Sequence, residues 1–176
     1  FYSARPTGTA AFVDRTASVG SNPSTSRGAL AVLFHENAHH FMMQYFRAAY
    51  PSWYVEGFAE YMSTARFSRS ATLIGTPPDS REVQLVGNSR SELLPTQTML
   101  GVMPTGGEAM SMFYAQSWLM VHYMFSTAER HRAFSAYMQA LNTGADPVEA
   151  ATIVPASPGR VPMMWLYAVA PTPPSM

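Results

Sequence analysis

His35-Glu36-Asn37-Ala38-His39 puts two imidazoles and a carboxylate within one short stretch. On a helix turning about 100° per residue, His35 and His39 lie one turn apart on one face, with Glu36 offset from them. Two imidazoles in that register can bind one ion while the carboxylate reaches a water beside it. A catalytic zinc takes three protein ligands and keeps a fourth position open, so a third donor must come from elsewhere. Cys is absent, and His122 and His131 lie far along the chain. The nearest candidates are Glu56 and Glu60, in Trp53-Tyr54-Val55-Glu56-Gly57-Phe58-Ala59-Glu60-Tyr61.

The elements that must carry these groups are a helix pair. From Ala29 to Tyr50 no Pro or Gly intervenes, and Leu30, Leu33, Phe34, Ala38, Phe41, Met42 and Tyr45 recur at spacings of three and four. Pro51 stops that helix, because proline lacks the amide donor and pushes its predecessor out of helical angles. Ser52 is expected to cap a second helix, carried by Trp53, Tyr54, Phe58 and Tyr61 to about Ala65. Gly57 costs some helical stability there, and a close approach of two packed helices would explain it.

A helix, a proline turn and an antiparallel helix would return either carboxylate over the His35/His39 face. Spacing alone does not choose between them. Glu56 is nearer the turn; Glu60, one turn further, could accept a hydrogen bond from a ligand imidazole and hold its tautomer. Their aromatic neighbours argue against a merely solvated acidic face, since carboxylates in apolar surroundings need a partner.

The HExxH segment and, sixteen intervening residues after His39, Glu56-Gly57-Phe58-Ala59 together resemble the gluzincin metallopeptidases, the superfamily of thermolysin and the zinc aminopeptidases. Trp53 to Tyr61 is similar to the aminopeptidase stretch in which the Glu before Gly is the third ligand. That resemblance selects Glu56. The chain is also similar to sparsely characterised bacterial domains grouped with these peptidases, which share HExxH, a Trp/Glu-Gly segment and a later Tyr-x-x-Ser helix. The close match covers about 30 residues, with a weaker likeness from Tyr114 to Pro147.

The resemblance implies a mainly α, thermolysin-like catalytic domain: an HExxH helix, a Glu helix, C-terminal helices and a small β element near the N-terminus. It also implies Zn2+ as cofactor and a peptide or protein as substrate. Family members place the site between the helix pair and a small sheet, for which the chain upstream of His35 offers little material.

In the chemistry so implied, Glu36 takes the proton of the attacking water and delivers it to the leaving amine. A donor for the developing oxyanion is then needed. Tyr114, in Phe113-Tyr114-Ala115-Gln116-Ser117-Trp118, is the first candidate, since the resembling aminopeptidases use a downstream tyrosine in this way; His122, two turns on, is the second. His40 points about 100° away from His39 and suits packing or an outer contact. His131, beside Glu129, Arg130 and Arg132, suits a charged helix surface, and Arg47, Arg66 and Arg69 could meet a substrate carboxylate or pair with acidic groups. Met42, Met43, Met62, Met110, Met112, Met120 and Met124 read as adaptable core filling or the lining of an apolar substrate pocket.

Around this site the chain reads as a single domain of 176 residues, 47% hydrophobic and 12% charged. Residues 1–28 form an irregular lead-in with Ala10 to Val13 as a short strand, and 29–65 the helix pair. Residues 66–105 read as a long insertion, with a strand at Glu82 to Val86 and a helical turn at Glu92 to Leu94. In 106–153, Gly106-Gly107 precedes a helix from Glu108 to Phe125, a second runs from Thr127 to Leu141, and Asp146 and Pro147 open a short one ending at Ile153. The tail, 154–176, is Pro-rich around one packed-looking run, Met163 to Val169.

Eleven Arg balance eleven Asp plus Glu and there is no Lys, so no basic nucleic-acid footprint is expected. No apolar run is long enough for a transmembrane segment, and the first residues are not a signal peptide. A chain opening at Phe1 is compatible with export to the periplasm or beyond after removal of an upstream segment. Two competing functions are a zinc-stabilised binding or scaffold module without catalysis and a di-iron helical site. The latter would need a second His-bearing helix motif.

Overall fold

A computed structural model of the protein describes residues 2–5, 8–11, 23–46, 48–87 and 93–153. In chain order these form β1 (Tyr2–Arg5), β2 (Gly8–Ala11), α1 (Pro23–Tyr45), α2 (Ser52–Ser63), β3 (Arg66–Phe67), β4 (Thr72–Leu73), α3 (Asp79–Gly87), α4 (Thr96–Leu100), α5 (Gly107–Phe125), α6 (Ala128–Asn142) and α7 (Pro147–Ile153). The fold is mainly helical, with two antiparallel strand pairs, β1 with β2 and β3 with β4. Of the strand expected at Ala10 to Val13, Ala10 and Ala11 are the end of β2, which forms a hairpin with β1, Tyr2 pairing with Ala11 and Arg5 with Gly8. Phe12, Val13 and the run Met163 to Val169 lie outside the described residues.

The helix pair differs from expectation at its boundaries. α1 starts at Pro23, whose fixed φ suits a first helical turn, and passes through Gly28, which is exposed and meets no neighbour. It ends at Tyr45 rather than Tyr50. The last helical bond runs from Phe46 N to Met42 O at 3.1 Å, and Ala49 N instead donates to Asn142 Oδ1 at the end of α6, 2.8 Å away. Pro51, in extended conformation, is the cap of α2, and its carbonyl accepts from Tyr54 N and Val55 N at 2.9 and 3.1 Å. Ser52 therefore does not cap the helix; it is the first helical residue, and no side chain caps that end.

Residues 66–105 hold more structure than a loop-like insertion. β3 and β4 pair Arg66 with Leu73 and Phe67 with Thr72, and α4 occupies Thr96–Leu100. The strand expected at Glu82 to Val86 is instead the middle of α3. The Pro78 carbonyl accepts from Arg81 N and Glu82 N at 2.8 and 2.9 Å and so starts a helical turn. Arg81, Gln84 and Leu85 are half-buried while Glu82, Val83 and Val86 are exposed, a spacing of three and four. The helical turn expected at Glu92 to Leu94 is absent at Leu93 and Leu94, and Glu92 lies outside the described residues. Leu94 instead pairs with the fully buried Gln116 side chain, its N donating to Oε1 at 2.7 Å and its O accepting from Nε2 at 3.2 Å.

The core is built around α5, which packs against α2, α3 and α6. Trp53, Met99, Phe113, Val121, Met124, Phe134 and Tyr137 are buried together. At Gly57 a Cβ would run into the Ser117 carbonyl and stand 2.9 Å from Val121 Cγ2. The missing side chain thus lets α2 lie directly on α5. Gly106 and Gly107 open α5 with φ of 74° and 66°, values that side-chain-bearing residues adopt only at a cost. The later elements follow the sequence closely: Thr127 Oγ1 accepts from Arg130 N at 3.2 Å to cap α6, and Asp146 Oδ1 accepts from Val148 N at 2.9 Å to cap α7. Among the described residues no helix is long and apolar enough to cross a membrane.

Candidate metal centre

α1 packs along α2, and α2 lies between α1 and α5. This order brings His35 and His39 from α1 against Glu56 from α2. His35 Nε2 and His39 Nε2 are 3.0 Å apart, and Glu56 Oε2 lies 3.5 Å from the first and 3.4 Å from the second. Four-coordinate zinc with bonds near 2.0–2.2 Å separates its donors by about 3.3–3.6 Å, so the two edges to Glu56 match one face of such a site and the edge between the imidazoles is somewhat shorter. Among the described residues it is the one group of three or more His, Cys, Asp or Glu side chains close enough to share an ion.

An unsatisfied atom marks the same place. Glu56 Oε2 is shut off from solvent and has no hydrogen-bond donor among the described residues. Burial opposes ionisation of Glu56, but the flanking His35 and His39 outweigh it and bring the carboxyl down to about 2. A buried carboxylate that is ionised and facing two imidazole nitrogens is a donor set for a divalent cation, and the residues present fit zinc. Neither oxygen nor nitrogen in this triangle would be satisfied by apolar packing.

The outer contacts are built from two elements. Glu60, only 6% exposed, sets Oε1 3.5 Å from His35 Nδ1, the nitrogen facing away from the triangle. Arg81 from α3 closes on the same carboxylate, its Nη2 donating to Oε1 at 2.9 Å and its Nε to Oε2 at 3.2 Å. The Arg81 guanidinium carbon lies 5.0 Å from the centroid of the Tyr114 ring, whose own centroid is 6.2 Å from that of His35. Burial first, and then the charge and accepting oxygens of Glu56, push the Tyr114 hydroxyl up to about 12. That hydroxyl therefore stays protonated, as a donor, through neutral pH.

Glu36 is half-buried and engages no partner among the described residues. His122 sits about 12 Å further along α5 than Tyr114. Its Nδ1 is 3.0 Å from the Gly75 carbonyl and its ring lies against Trp118 and Tyr61. Of the two oxyanion-donor candidates, Tyr114 is the one brought to the donor triangle. His131 is exposed on α6 with its ring against Phe125. Arg66 and Arg69 are exposed at the β3–β4 hairpin, and Arg47 lies outside the described residues.

A separate apolar cavity of about 380 Å³ is lined by Phe34, Ala38, Phe41, Phe58, Met62 and Phe67, with His40 at its wall. Phe34, Ala38 and Phe41 lie some 60–120° around α1 from His35. Met42, Met112, Met120 and Met124 are core residues, whereas Met43 is 55% exposed and fills nothing.

Sequence reasoning passed over Arg81. It stands just before the segment read as a strand, Glu82 to Val86, and only the helical turn of α3 aims it at Glu60. An arginine after Pro-Pro-Asp-Ser carries no signal of that kind.

The fold and site define a mainly helical protein with a His/His/Glu cluster in HExxH register, able to coordinate a divalent metal. Compared with family models, curated proteins and solved structures, the chain finds no match. The likeness to gluzincins therefore rests on the motif residues themselves.

Proposed function

We propose that the protein is a zinc-dependent hydrolase of peptide bonds, of gluzincin type, with His35, His39 and Glu56 as metal ligands. The observation that carries this is the convergence of the two Nε2 atoms on Glu56 Oε2, a buried oxygen with no other partner among the described residues, with Glu36 on the same helix as the two imidazoles. A bound zinc would polarise the scissile carbonyl and acidify a water. Glu36 accepts the proton of the attacking water and returns it to the leaving amine. Tyr114, its hydroxyl kept protonated by burial and by Glu56, donates to the oxyanion as it forms. His35 and His39 must be neutral to act as ligands, and Glu60 Oε1, 3.5 Å from His35 Nδ1, favours the tautomer with its proton on Nδ1, which leaves Nε2 with its lone pair toward the metal.

The test is protein loaded with one equivalent of zinc and offered a broad peptide library, with a hydroxamate as active-site competitor. Cleavage that the hydroxamate blocks is the expected result. Bound zinc with no cleavage and no hydroxamate binding would leave a zinc-stabilised binding or scaffold module instead.

A further inference from the structure

We propose that Arg81 is a positioning residue of the metal centre: it fixes the Glu60 carboxylate in the one orientation that holds His35 in its metal-binding tautomer. This rests on the metal-site reading above but not on peptide hydrolysis. Glu60 is nearly buried and has to satisfy two directions at once, its Oε1 lying 3.5 Å from His35 Nδ1 and 2.9 Å from Arg81 Nη2. The second bond, Arg81 Nε to Oε2 at 3.2 Å, makes the contact bidentate, so the carboxylate cannot rotate about its long axis without breaking it. A carboxylate so fixed presents a lone pair to Nδ1–H, and the proton held there keeps Nε2 free for the ion.

Arg81 is itself braced. Its guanidinium lies over the Tyr114 ring at 5.0 Å, within cation–π range, and α3 packs on α5. The chain of contacts therefore runs from α5 through Arg81 on α3 to Glu60 on α2 and His35 on α1. Four helices converge on one imidazole. Lys at this position would keep the charge but not the planar pair of parallel donors.

The experiment is zinc affinity by chelator competition, with the visible spectrum of the cobalt-loaded protein as a second readout. The proteins are wild type, R81M, R81K, E60Q, the double variant E60Q/R81M, Y114F and Y114L. Loss of a contact of this kind weakens metal binding about 10- to 100-fold, and that is the loss expected for R81M. R81K should fall between R81M and wild type. E60Q/R81M should bind no more weakly than E60Q, because the arginine acts through the carboxylate that is already lost. Y114L, which removes the ring over Arg81, should bind zinc more weakly than Y114F, which keeps it, and should alter the cobalt spectrum.

Unchanged affinity in R81M would overturn the proposal, and so would losses that multiply in E60Q/R81M. If R81M does not fold, E60Q and E60Q/R81M, in which the buried carboxylate is already neutral, decide the question by the same comparison. Zinc held tightly by wild type with no peptide cleaved would remove the peptidase reading and leave these affinities to judge Arg81.

Discussion

Glu36→Gln keeps the side-chain volume and removes the proton acceptor, so turnover should fall by about 10²- to 10⁴-fold with zinc content unchanged, as measured by peptide cleavage beside elemental analysis. Glu56→Ala should lose the metal. Glu60→Ala should keep it at an affinity about 10- to 100-fold weaker, and elemental analysis of the two variants separates ligand from outer contact. The same carboxylates set the pH response. Glu56 is lowered from 4.5 to about 2, so its preference for the charged form in the folded protein is fully present above pH 4.5 and is lost only as pH falls from there towards 2. Above pH 5 the Glu56 carboxyl should therefore stay ionised in the metal-free protein. The infrared carboxyl C=O band at pH 5, compared between wild type and Glu56→Gln, checks this, and a protonated-carboxyl band lost in Glu56→Gln would contradict the assignment.

Helix contacts, more than helix propensities, decide where these side chains arrive. Gly57 is the point at which α2 touches α5, and Gly57→Ala would press a methyl group against the Ser117 carbonyl. Overpacking of this sort costs about 1–3 kcal/mol, and because backbone opposes the new atom the upper end is expected. Since Glu56 is the preceding residue, the shift should also weaken zinc binding; a melting curve and a zinc titration on the same sample check both. α3 teaches the complementary lesson. Glu82-Val83-Gln84-Leu85 alternates polar and apolar residues as a half-buried strand does, yet Val83 is 71% exposed and Val86, next after Leu85, 74%. Pairing of Arg81 with Glu60, together with packing of the half-buried residues toward α5, outweighs an alternation that has no sheet partner to satisfy it.

At the scale of the molecule the metal would act as a strap. Its candidate ligands come from α1 and α2, and among the described residues of α1 the buried apolar ones are Ala38 and Met42, while Leu30, Val32, Phe41, Met43 and Tyr45 are exposed. The core around α5 lies on the other side of α2. Zinc at a thousandfold excess over its dissociation constant adds about 4 kcal/mol, which for a chain of this size raises Tm by about 10 °C. Calorimetry with and without a chelator measures that difference. Hydrogen exchange should show the loss concentrated in α1, with the amides of α5 little changed; equal loosening of both helices would mean that the site does not strap α1 to the rest.

The pair of imidazoles, the base beside them and the two candidate third ligands were all legible in the sequence, because a helix repeats every 3.6 residues and local spacing fixes which side chains share a face. The cap of α7 at Asp146 was legible for a similar reason, being a bond within one turn, and so was the start of α6 to within a residue, although Thr127 caps it and is not its first residue. What lay beyond was everything that depends on a neighbour distant in the chain. Pro51 announced a reversal but not that its carbonyl, rather than Ser52, would start α2. The last residues before it read as helix, although Asn142 draws Ala49 away. Glu56 and Glu60 could not be ranked by spacing, and it took the packing of α1 along α2 to set one against both Nε2 atoms and the other against Nδ1. Arg81 had no signal at all, since a single cation gains its meaning from the buried carboxylate it meets 21 residues away. Sequence determined the donors, and tertiary packing decided what each donor faces, because a ligand set is fixed by distances between helices that no periodicity within one helix contains.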